Sequence, residues 1–332
     1  MTKEYIEFKR IQETADISSE DSYHVFSLMG QLHKLGASKD GFPKFFVVAK
    51  DNTMMQNLNA ELLSVEYNML CNIIEKGVTL DNQRFTIITL RSDNEQLQKM
   101  FIEVFVTMLH SLPAEPTNMM IASKVENLLS IFAKLKKKPI HKLQGLWAEL
   151  LLIDQSSDSS VVARAWHSQP QSKYDFTMGD DKIEVKSTRG ENRVHRFSLD
   201  QLNPAPSSNL LICSTIVRES AKTDGGFSVF DLYEKISKKI MDGEVRMHLY
   251  NVITDTLGSD FFSAQKKYFD YHESCDRLAF YYYTDIPKIE RNQVPENVTG
   301  VKFNVDLSYI KDVRENGYHW NDSELFNALY NF

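Results

Sequence analysis

The sequence predicts a mixed α/β protein, because strand-like and helix-like patterns follow one another along the chain. Runs rich in β-branched and aromatic residues, typical of strands, occupy residues 45–49, 85–90 and 210–217. Apolar residues recur at helical spacing over residues 94–109 and 229–240. At 332 residues the chain is long for one core, which favours two lobes.

The first lobe, residues 1–138, is predicted to be an α/β unit. Asn94 can cap the helix over residues 94–109, and the breaker-rich segment 113–118 separates that helix from another. We find no catalytic grouping in this part of the sequence. Recognition of DNA or of a partner is therefore the role that we expect for it.

The second lobe, residues 139–332, carries the patterns that indicate chemistry. A helix over residues 141–153 is followed by a β-hairpin at 174–187 and by a short helix at 198–202 that Pro204 ends. Later elements are predicted at residues 210–217, 229–240, 244–257, 278–284, 301–305 and 322–330.

Composition bounds the function. Hydrophobic residues at 42% and charged residues at 25% are ordinary for a globular protein, while a net charge of −7 argues against coating nucleic acid by bulk charge. Cys71, Cys213 and Cys275 are too far apart in sequence for a zinc knuckle or a disulfide framework. The amino terminus lacks a signal peptide's apolar core, and no apolar run could span a bilayer. We expect a cytoplasmic protein with no membrane partner.

Glu149 interrupts an otherwise apolar run at residues 145–153. A helix that is apolar nearly all round is buried, and a carboxylate inside it must be paired, protonated or bound to a cation. Taken alone, this position fits a salt bridge or a narrow exposed stripe as well as it fits a functional site.

The predicted hairpin at residues 174–187 gathers acidic and basic groups on one face. Asp175 lies opposite Glu184, and Lys186 projects on the same side as Glu184 because the two are two positions apart. Asp175, Glu184 and the carbonyl of Val185 could supply oxygen ligands for magnesium, beside which Lys186 could orient a water. A solvated hairpin with a cross-strand ion pair is at least as compatible with this spacing.

The order of these groups decides between the two interpretations. Glu149 in an apolar helix, then Asp175, a short hairpin and Glu-x-Lys resembles the PD-(D/E)XK nuclease superfamily. More narrowly, the chain resembles a bacterial group of PD-(D/E)XK proteins from restriction-type, anti-phage defence loci. The segments that carry this second resemblance are residues 144–151, 174–176, 183–187 and 294–298.

The resemblance implies a restriction-endonuclease-like core, in which helices flank a mixed central sheet, and Mg²⁺-dependent hydrolysis of DNA, with Mn²⁺ able to substitute. It assigns metal binding to Asp175 and Glu184, the catalytic lysine to Lys186, and assistance of the metal or water to Glu149. Tyr174 departs from the superfamily name, which has a proline there, but that proline is variable. The implied partners are DNA, a second copy in a homodimer, and methyltransferase and ATPase or helicase-like proteins of the same locus.

Basic residues bracket the acidic centre in the sequence, where a phosphate backbone would need them. Each cluster alone is more typical of a solvated face, and Gln201 is a weaker candidate for positioning water or substrate. His167 and His195 lack ligand spacing, so we expect surface or structural roles for them. The predicted nucleic-acid-binding residues are Lys136, Lys137, Lys138, Lys142, Arg189, Arg193, Arg196 and Gln201.

Three functions stay open at this point. The leading one is an Mg²⁺-dependent endonuclease of a bacterial restriction or phage-defence system that hydrolyses DNA. The acidic net charge and the extra lobe instead favour a non-cleaving or partner-activated DNA-binding scaffold subunit, although such a subunit has no need of four intact catalytic residue types. The third is cleavage of RNA, or of structured or modified DNA, by the same site.

Overall fold

The computed structural model describes residues 2–14, 22–28, 32–37, 39–53, 55–135, 137–139, 142–168, 172–315, 320 and 322–329. The chain divides into two compact units, Met1–Ala133 and Lys134–Phe332. The functional division of the sequence at residue 138 stays a prediction. None of the helices in the described ranges has both the length and the apolar character that crossing a membrane requires.

The first unit is built on a six-stranded sheet in the order β1-β2-β3-β6-β5-β4, and β1 also pairs in parallel with β5. Phe45 on β3 is fully buried, and its ring packs against Phe101 and Phe105 of α2 at centroid distances of 5.3 and 4.6 Å. The Asn94 side chain accepts a hydrogen bond from the backbone N–H of Leu97, which confirms the predicted cap. The elements are α1 (Lys3–Thr14), β1 (Ser22–Ser27), β2 (Lys34–Ala37), β3 (Pro43–Val47), β4 (Leu58–Asn59), β5 (Leu63–Glu75), β6 (Val78–Leu90), α2 (Glu95–His110) and α3 (Asn118–Lys134).

A long hairpin of β5 and β6 is a feature that the sequence only half predicts. Lys76 and Gly77 join the strands with positive φ angles of 51° and 80°, as a two-residue hairpin turn requires. Residues 78–84 of β6 are exposed, whereas residues 85–90 are buried. Only the buried half carries the apolar run of a strand, so only residues 85–90 were predictable from hydrophobicity.

The second unit contains the remaining elements. Its helices are α4 (Leu143–Gln155), α5 (Ser159–Ala165), α6 (Leu199–Leu202), α7 (Val229–Lys239), α8 (Gly243–Leu257), α9 (Phe261–Ala264), α10 (Tyr271–Asp276) and α11 (Glu324–Asn327). Its strands are β7 (Phe176–Met178), β8 (Asp181–Thr188), β9 (Val194–Ser198), β10 (Asn209–Ile216), β11 (Glu219–Ser220), β12 (Gly226–Phe227), β13 (Tyr268–Asp270), β14 (Ala279–Tyr282) and β15 (Lys302–Asp306). Short 3₁₀ turns lie at Lys222–Asp224, Gly258–Asp260 and Arg291–Gln293.

A mixed four-stranded sheet, in the order β14-β10-β8-β7, forms the centre of this unit. Strands β8 and β10 run parallel, while β7 and β14 pair antiparallel at the two edges. Strand β10 is buried along nearly its whole length, in keeping with its apolar residues Leu210 to Cys213. The register places Glu184 opposite Ile212 and Lys186 opposite Ser214.

Helix α4 is the buried helix that the sequence predicts. Trp147 is fully buried, and its indole N–H donates to the carbonyl of Phe227 at 2.9 Å. Glu149 is only 9% exposed, in line with the apolar run around it. The helix begins at Leu143, and the predicted start at residue 141 lies outside the described residues.

Candidate metal centre and its surroundings

The β7–β8 hairpin positions two of the predicted site residues. Its two-residue turn has Gly179 at φ 56°, and Phe176 pairs with Ile183, so Asp175 lies beside Glu184 and Val185 in the middle of β8. The Asp175 Oδ2 accepts a hydrogen bond of 2.7 Å from the backbone N–H of Val185. Ligation by the Val185 carbonyl stays a prediction.

Glu184 and Lys186 alternate along β8 and therefore project on the same face of the strand. The Lys186 ammonium donates to Oε1 of Glu184 at 2.6 Å and lies 5.2 Å from the centroid of the Phe197 ring. Glu184 is 4% exposed, and its other oxygen, Oε2, is buried and has no hydrogen-bond partner in the described part of the chain. A buried carboxylate oxygen without a partner is costly unless something else binds it.

Glu149 reaches the same region from α4. Its Oε2 accepts a hydrogen bond from the indole N–H of Trp166 at 2.8 Å and lies 3.1 Å from Nε2 of His167. One ligand atom from each of Glu149, His167 and Asp175 lies within 4.8 Å of the other two. The fold therefore brings together Glu149, Asp175, Glu184 and Lys186, as the sequence pattern indicates, and adds His167.

His167 is the residue of this centre that the sequence analysis missed. It follows α5 with a φ of 42°, a conformation that is uncommon for residues other than glycine. Its backbone N–H donates to the carbonyl of Asp175 at 2.8 Å, which ties the segment after α5 to the start of the hairpin. The only signal in the sequence is a histidine placed just before the hairpin, and spacing could not reveal its approach to Glu149.

The electrostatics of the two hairpin carboxylates reflect this crowding. Burial raises the pKa of Asp175 well above its usual range, and Glu184 and Glu149 raise it further against the hydrogen bond from Val185. Burial also raises the pKa of Glu184, although the neighbouring Lys186 opposes that effect. Ionising both carboxyls is therefore unfavourable without more positive charge than the protein supplies.

These residues fit a divalent cation. Three carboxylates face one ammonium, so a doubly charged ion would balance their excess negative charge. The unpartnered oxygen of Glu184 is a hard ligand of the type that such ions prefer. It is a second observation in favour of a cation, separate from the closeness of Glu149, His167 and Asp175. Glu149, His167, Asp175 and Glu184 are the side chains that would hold the ion.

Gln201 lies beside this centre because it takes part in the cap of α6. Ser198 and Gln201 form a capping box at the start of α6, in which the backbone N–H of Ser198 donates to Oε1 of Gln201 at 3.0 Å. That bond fixes the orientation of the amide, so its NH₂ group donates to Oε1 of Glu184. Nucleic-acid binding by Gln201 stays a prediction.

The predicted basic residues occupy different surroundings. Lys137, Lys138 and Lys142 are exposed, and Lys136 lies outside the described residues. Their contact with a phosphate backbone stays a prediction.

The three arginines after β8 differ from one another. Arg189 is exposed and donates to Gln144 and Glu219, at 3.0 and 2.9 Å. Arg193 donates to the carbonyl and hydroxyl oxygens of Ser214 and to the carbonyl of Arg277, so its guanidinium already has protein partners. Arg196 is exposed. Their roles on nucleic acid also stay predictions, with Arg193 the least available.

Comparison with known proteins gives one result. A family model described as "Putative PD-(D/E)XK family member (DUF4420)" matches residues 8–308, a range that includes every residue of the centre described above. No curated protein and no solved structure matches the chain.

Proposed function

The chain belongs to this PD-(D/E)XK family, and from that premise we propose that it is an Mg²⁺-dependent endonuclease that hydrolyses DNA phosphodiester bonds. Membership indicates a nuclease-type function, and the restriction-endonuclease-like fold class predicted from the sequence is confirmed by the family and the mixed sheet. The observation that carries the finer proposal is the buried, unpartnered oxygen of Glu184 beside Lys186. Mn²⁺ is expected to replace Mg²⁺.

The acidic side chains would hold the cation and set its position relative to the substrate. Asp175 is fixed by the N–H of Val185, and Glu149 is fixed by the indole of Trp166, so neither carboxylate needs to reorganise on binding. When bound, a divalent cation polarises the phosphate and lowers the pKa of water in its vicinity.

Lys186 is the group that acts on the reacting atoms. Its ammonium lies on the same strand face as Glu184, and Glu184 holds it there through a charge-assisted hydrogen bond. From this position it donates a hydrogen bond to the attacking water or to a phosphate oxygen on which negative charge develops. Gln201 keeps Oε1 of Glu184 in place through its own amide.

The test is a cleavage assay on labelled duplex DNA, single-stranded DNA and RNA, with Mg²⁺, Mn²⁺ or EDTA. Wild-type protein should cut duplex DNA only with a divalent ion, and Asp175→Ala or Lys186→Ala should lower the rate by roughly 10³-fold or more. Lys182→Ala is the matched control, because Lys182 lies on the same strand and its ammonium donates to the carbonyl of Gly179 in the turn. Undiminished cutting by both site variants would overturn the proposal, and a preference for RNA would correct its substrate.

Partners form part of the same proposal. Many enzymes that cut duplex DNA dimerise so that two active sites address the two strands, and a homodimer of this chain would do the same. A restriction-type locus would add methyltransferase and ATPase or helicase-like proteins. Light scattering with and without duplex DNA tests the dimer. If the purified chain binds DNA and cuts only after such a protein is added, the partner-activated subunit is the correct assignment.

A further inference from the structure

A basic pocket opens on the second unit next to the acidic centre. It has a volume of about 360 Å³ and is lined by Lys173, Arg196, Phe197, Ser198, Gln201 and Lys302. Three of these six residues carry positive charge, and none carries a carboxylate. Lys173 and Lys302 lie 129 positions apart in the sequence, so no local basic cluster contains both.

The pairing of β9 with β15 creates this concentration of charge. Ser198 pairs with Lys302 and Arg196 pairs with Asn304, so Arg196 and Lys302 are diagonal neighbours on one face of the two-stranded sheet. Phe197 is fully buried, whereas Arg196 and Lys302 are exposed. The alternation along β9 therefore aims the Arg196 guanidinium away from the core, towards the lysine of the neighbouring strand.

The positive side chains that line the pocket form no salt bridge in the described part of the chain. Within the described ranges, neither Arg196 nor Lys302 forms an ion pair. The Lys173 ammonium donates to the backbone carbonyl of Asp200 at 3.1 Å and lies 5.0 Å from the centroid of the Tyr174 ring. The carboxylate of Asp200 is instead paired with Arg291 at 2.5 Å.

Gln201 connects the pocket to the acidic centre. Gln201 lines the pocket, and its NH₂ group donates to Glu184. A group bound in the pocket is therefore one side chain away from the carboxylates. An anion fits on the basic side and a cation fits on the acidic side, which is the arrangement that a strand with repeating phosphates requires.

We propose that the pocket formed by Lys173, Arg196 and Lys302 binds a phosphate group of the nucleic-acid strand that the acidic centre cuts. The inference rests on the proposed nuclease function for the identity of the strand. Arginine presents a planar donor fork to phosphate oxygens, and the two lysines act as point charges around it. The phosphate is either an internal diester or the terminal monoester of a strand end.

The experiment measures affinity for nucleic acid in EDTA, where no cutting occurs, as a function of salt concentration. Fluorescently labelled duplex and single-stranded oligonucleotides with a 5′-phosphate or a 5′-hydroxyl, and circular single strands, are titrated with wild-type protein and with Arg196→Ala/Lys302→Ala. The double variant should bind about tenfold more weakly at low salt. Its slope of log affinity against log salt should fall by about 0.7 on single strands and about 0.9 on duplexes, since the pocket neutralises one phosphate.

Two further variants make the result specific to the pocket. Lys266→Ala/Lys267→Ala removes the same charge from exposed positions just before β13 and should leave affinity and slope unchanged. Arg196→Lys/Lys302→Arg keeps the charge and should retain the wild-type slope. An affinity and slope for the alanine pair equal to those of the Lys266/Lys267 control would overturn the inference.

The different oligonucleotides identify the kind of phosphate that binds, and cutting assays test the nuclease function separately. Loss of affinity confined to 5′-phosphorylated ends identifies a terminal monoester, and loss on circular strands identifies a diester. A wild-type protein that binds DNA through the pocket but never cuts it would sink the nuclease proposal and leave the pocket standing. If the Arg196→Ala/Lys302→Ala variant still cuts DNA and binds it with unchanged affinity, the pocket proposal is wrong and the nuclease proposal is retained.

Discussion

Helix α4 carries two acidic side chains into the protein, Glu149 and Asp154, and they meet opposite surroundings. The Asp154 side chain is fully buried, and its oxygens accept hydrogen bonds of 2.8 Å from both Lys235 and Lys239 and of 2.7 Å from Tyr271. Burial raises its pKa, but these hydrogen bonds outweigh burial and hold the pKa of Asp154 below its usual range.

The acidic centre around Glu149 has the reverse balance. Asp175 and Glu184 lie near Glu149, and Lys186 supplies the one ammonium group that pairs with Glu184 there. Burial raises the pKa of both hairpin carboxyls. Burial alone therefore does not mark a functional acid. What marks it is whether the protein itself supplies the opposite charge, as α7 does for Asp154 and as no side chain of the described residues does for Oε2 of Glu184.

Adding a divalent cation should give the largest separation of the two regions. At a free concentration of 100 times its dissociation constant, Mg²⁺ or Mn²⁺ should raise the free energy of unfolding by about 2.7 kcal/mol, because it binds only the folded acidic centre. Denaturant unfolding measured with the ion and with EDTA gives this value directly. Asp154→Asn should keep the increment and Asp175→Asn should lose most of it. Equal increments in both variants would mean that the ion binds elsewhere.

A matched pair of Asp→Asn substitutions distinguishes the two buried acids without metal. Asp154→Asn removes the charge that two lysines and a tyrosine require, so it should lower the free energy of unfolding by about 2 kcal/mol. Asp175→Asn removes a charge that its surroundings disfavour, so in EDTA it should raise that free energy by about 1 kcal/mol. Chemical denaturation of the three proteins at pH 7 measures both. If both substitutions changed the free energy of unfolding in the same direction, the surroundings of Asp154 and Asp175 would not differ in how they treat a negative charge.

His167 should determine which cation the centre prefers. Mg²⁺ selects oxygen ligands, whereas an imidazole favours transition metals, so wild-type protein should bind Mn²⁺ more tightly than Mg²⁺. His167→Asn offers an oxygen ligand and tolerates the positive φ, and it should narrow the ratio of the two affinities by about tenfold. Electron paramagnetic resonance titration of Mn²⁺, with Mg²⁺ as competitor, measures the ratio. An unchanged ratio would exclude His167 as a ligand.

The pH dependence of Asp154 should give the smallest effect. The folded pKa lies below the unfolded value of about 3.9, so the stability that Asp154 contributes is fully present above that value. It is lost as the pH falls through the folded pKa. Between pH 7 and pH 3, the stability difference between wild type and Asp154→Asn should therefore shrink by less than about 1 kcal/mol. Unfolding curves at several pH values measure this, and a difference that grows towards pH 3 would contradict the paired state of Asp154.

The acidic centre was largely predictable because its parts are local patterns. The apolar run around Glu149 predicts the buried helix, and the alternation through Glu184 and Lys186 predicts their common strand face. The end of the short helix that carries Gln201 follows from Pro204 just after it. Each signal lies within a few residues of the group that it positions.

The rest depends on contacts between elements that no local pattern records. His167 reaches Glu149 through a left-handed residue after α5, and Lys302 joins Arg196 only because β15 pairs with β9. Asp154 could not be distinguished from Glu149 in sequence, because its lysines lie on α7 about 80 positions later. Arg193 appears in a basic stretch, yet its donors are directed to backbone and hydroxyl oxygens inside the unit.

The capping box at the start of α6 limits how this protein can evolve. A capping box accepts either Glu or Gln at its third helical position, and one nucleotide change converts one codon into the other. At Gln201 only the amide satisfies both neighbours, because its oxygen serves the N–H of Ser198 and its NH₂ serves Glu184. Glutamate would cap α6 equally well while adding a further negative charge against Glu184. The substitution Gln201→Glu, which the cap of α6 tolerates, is thus one that the acidic centre should reject.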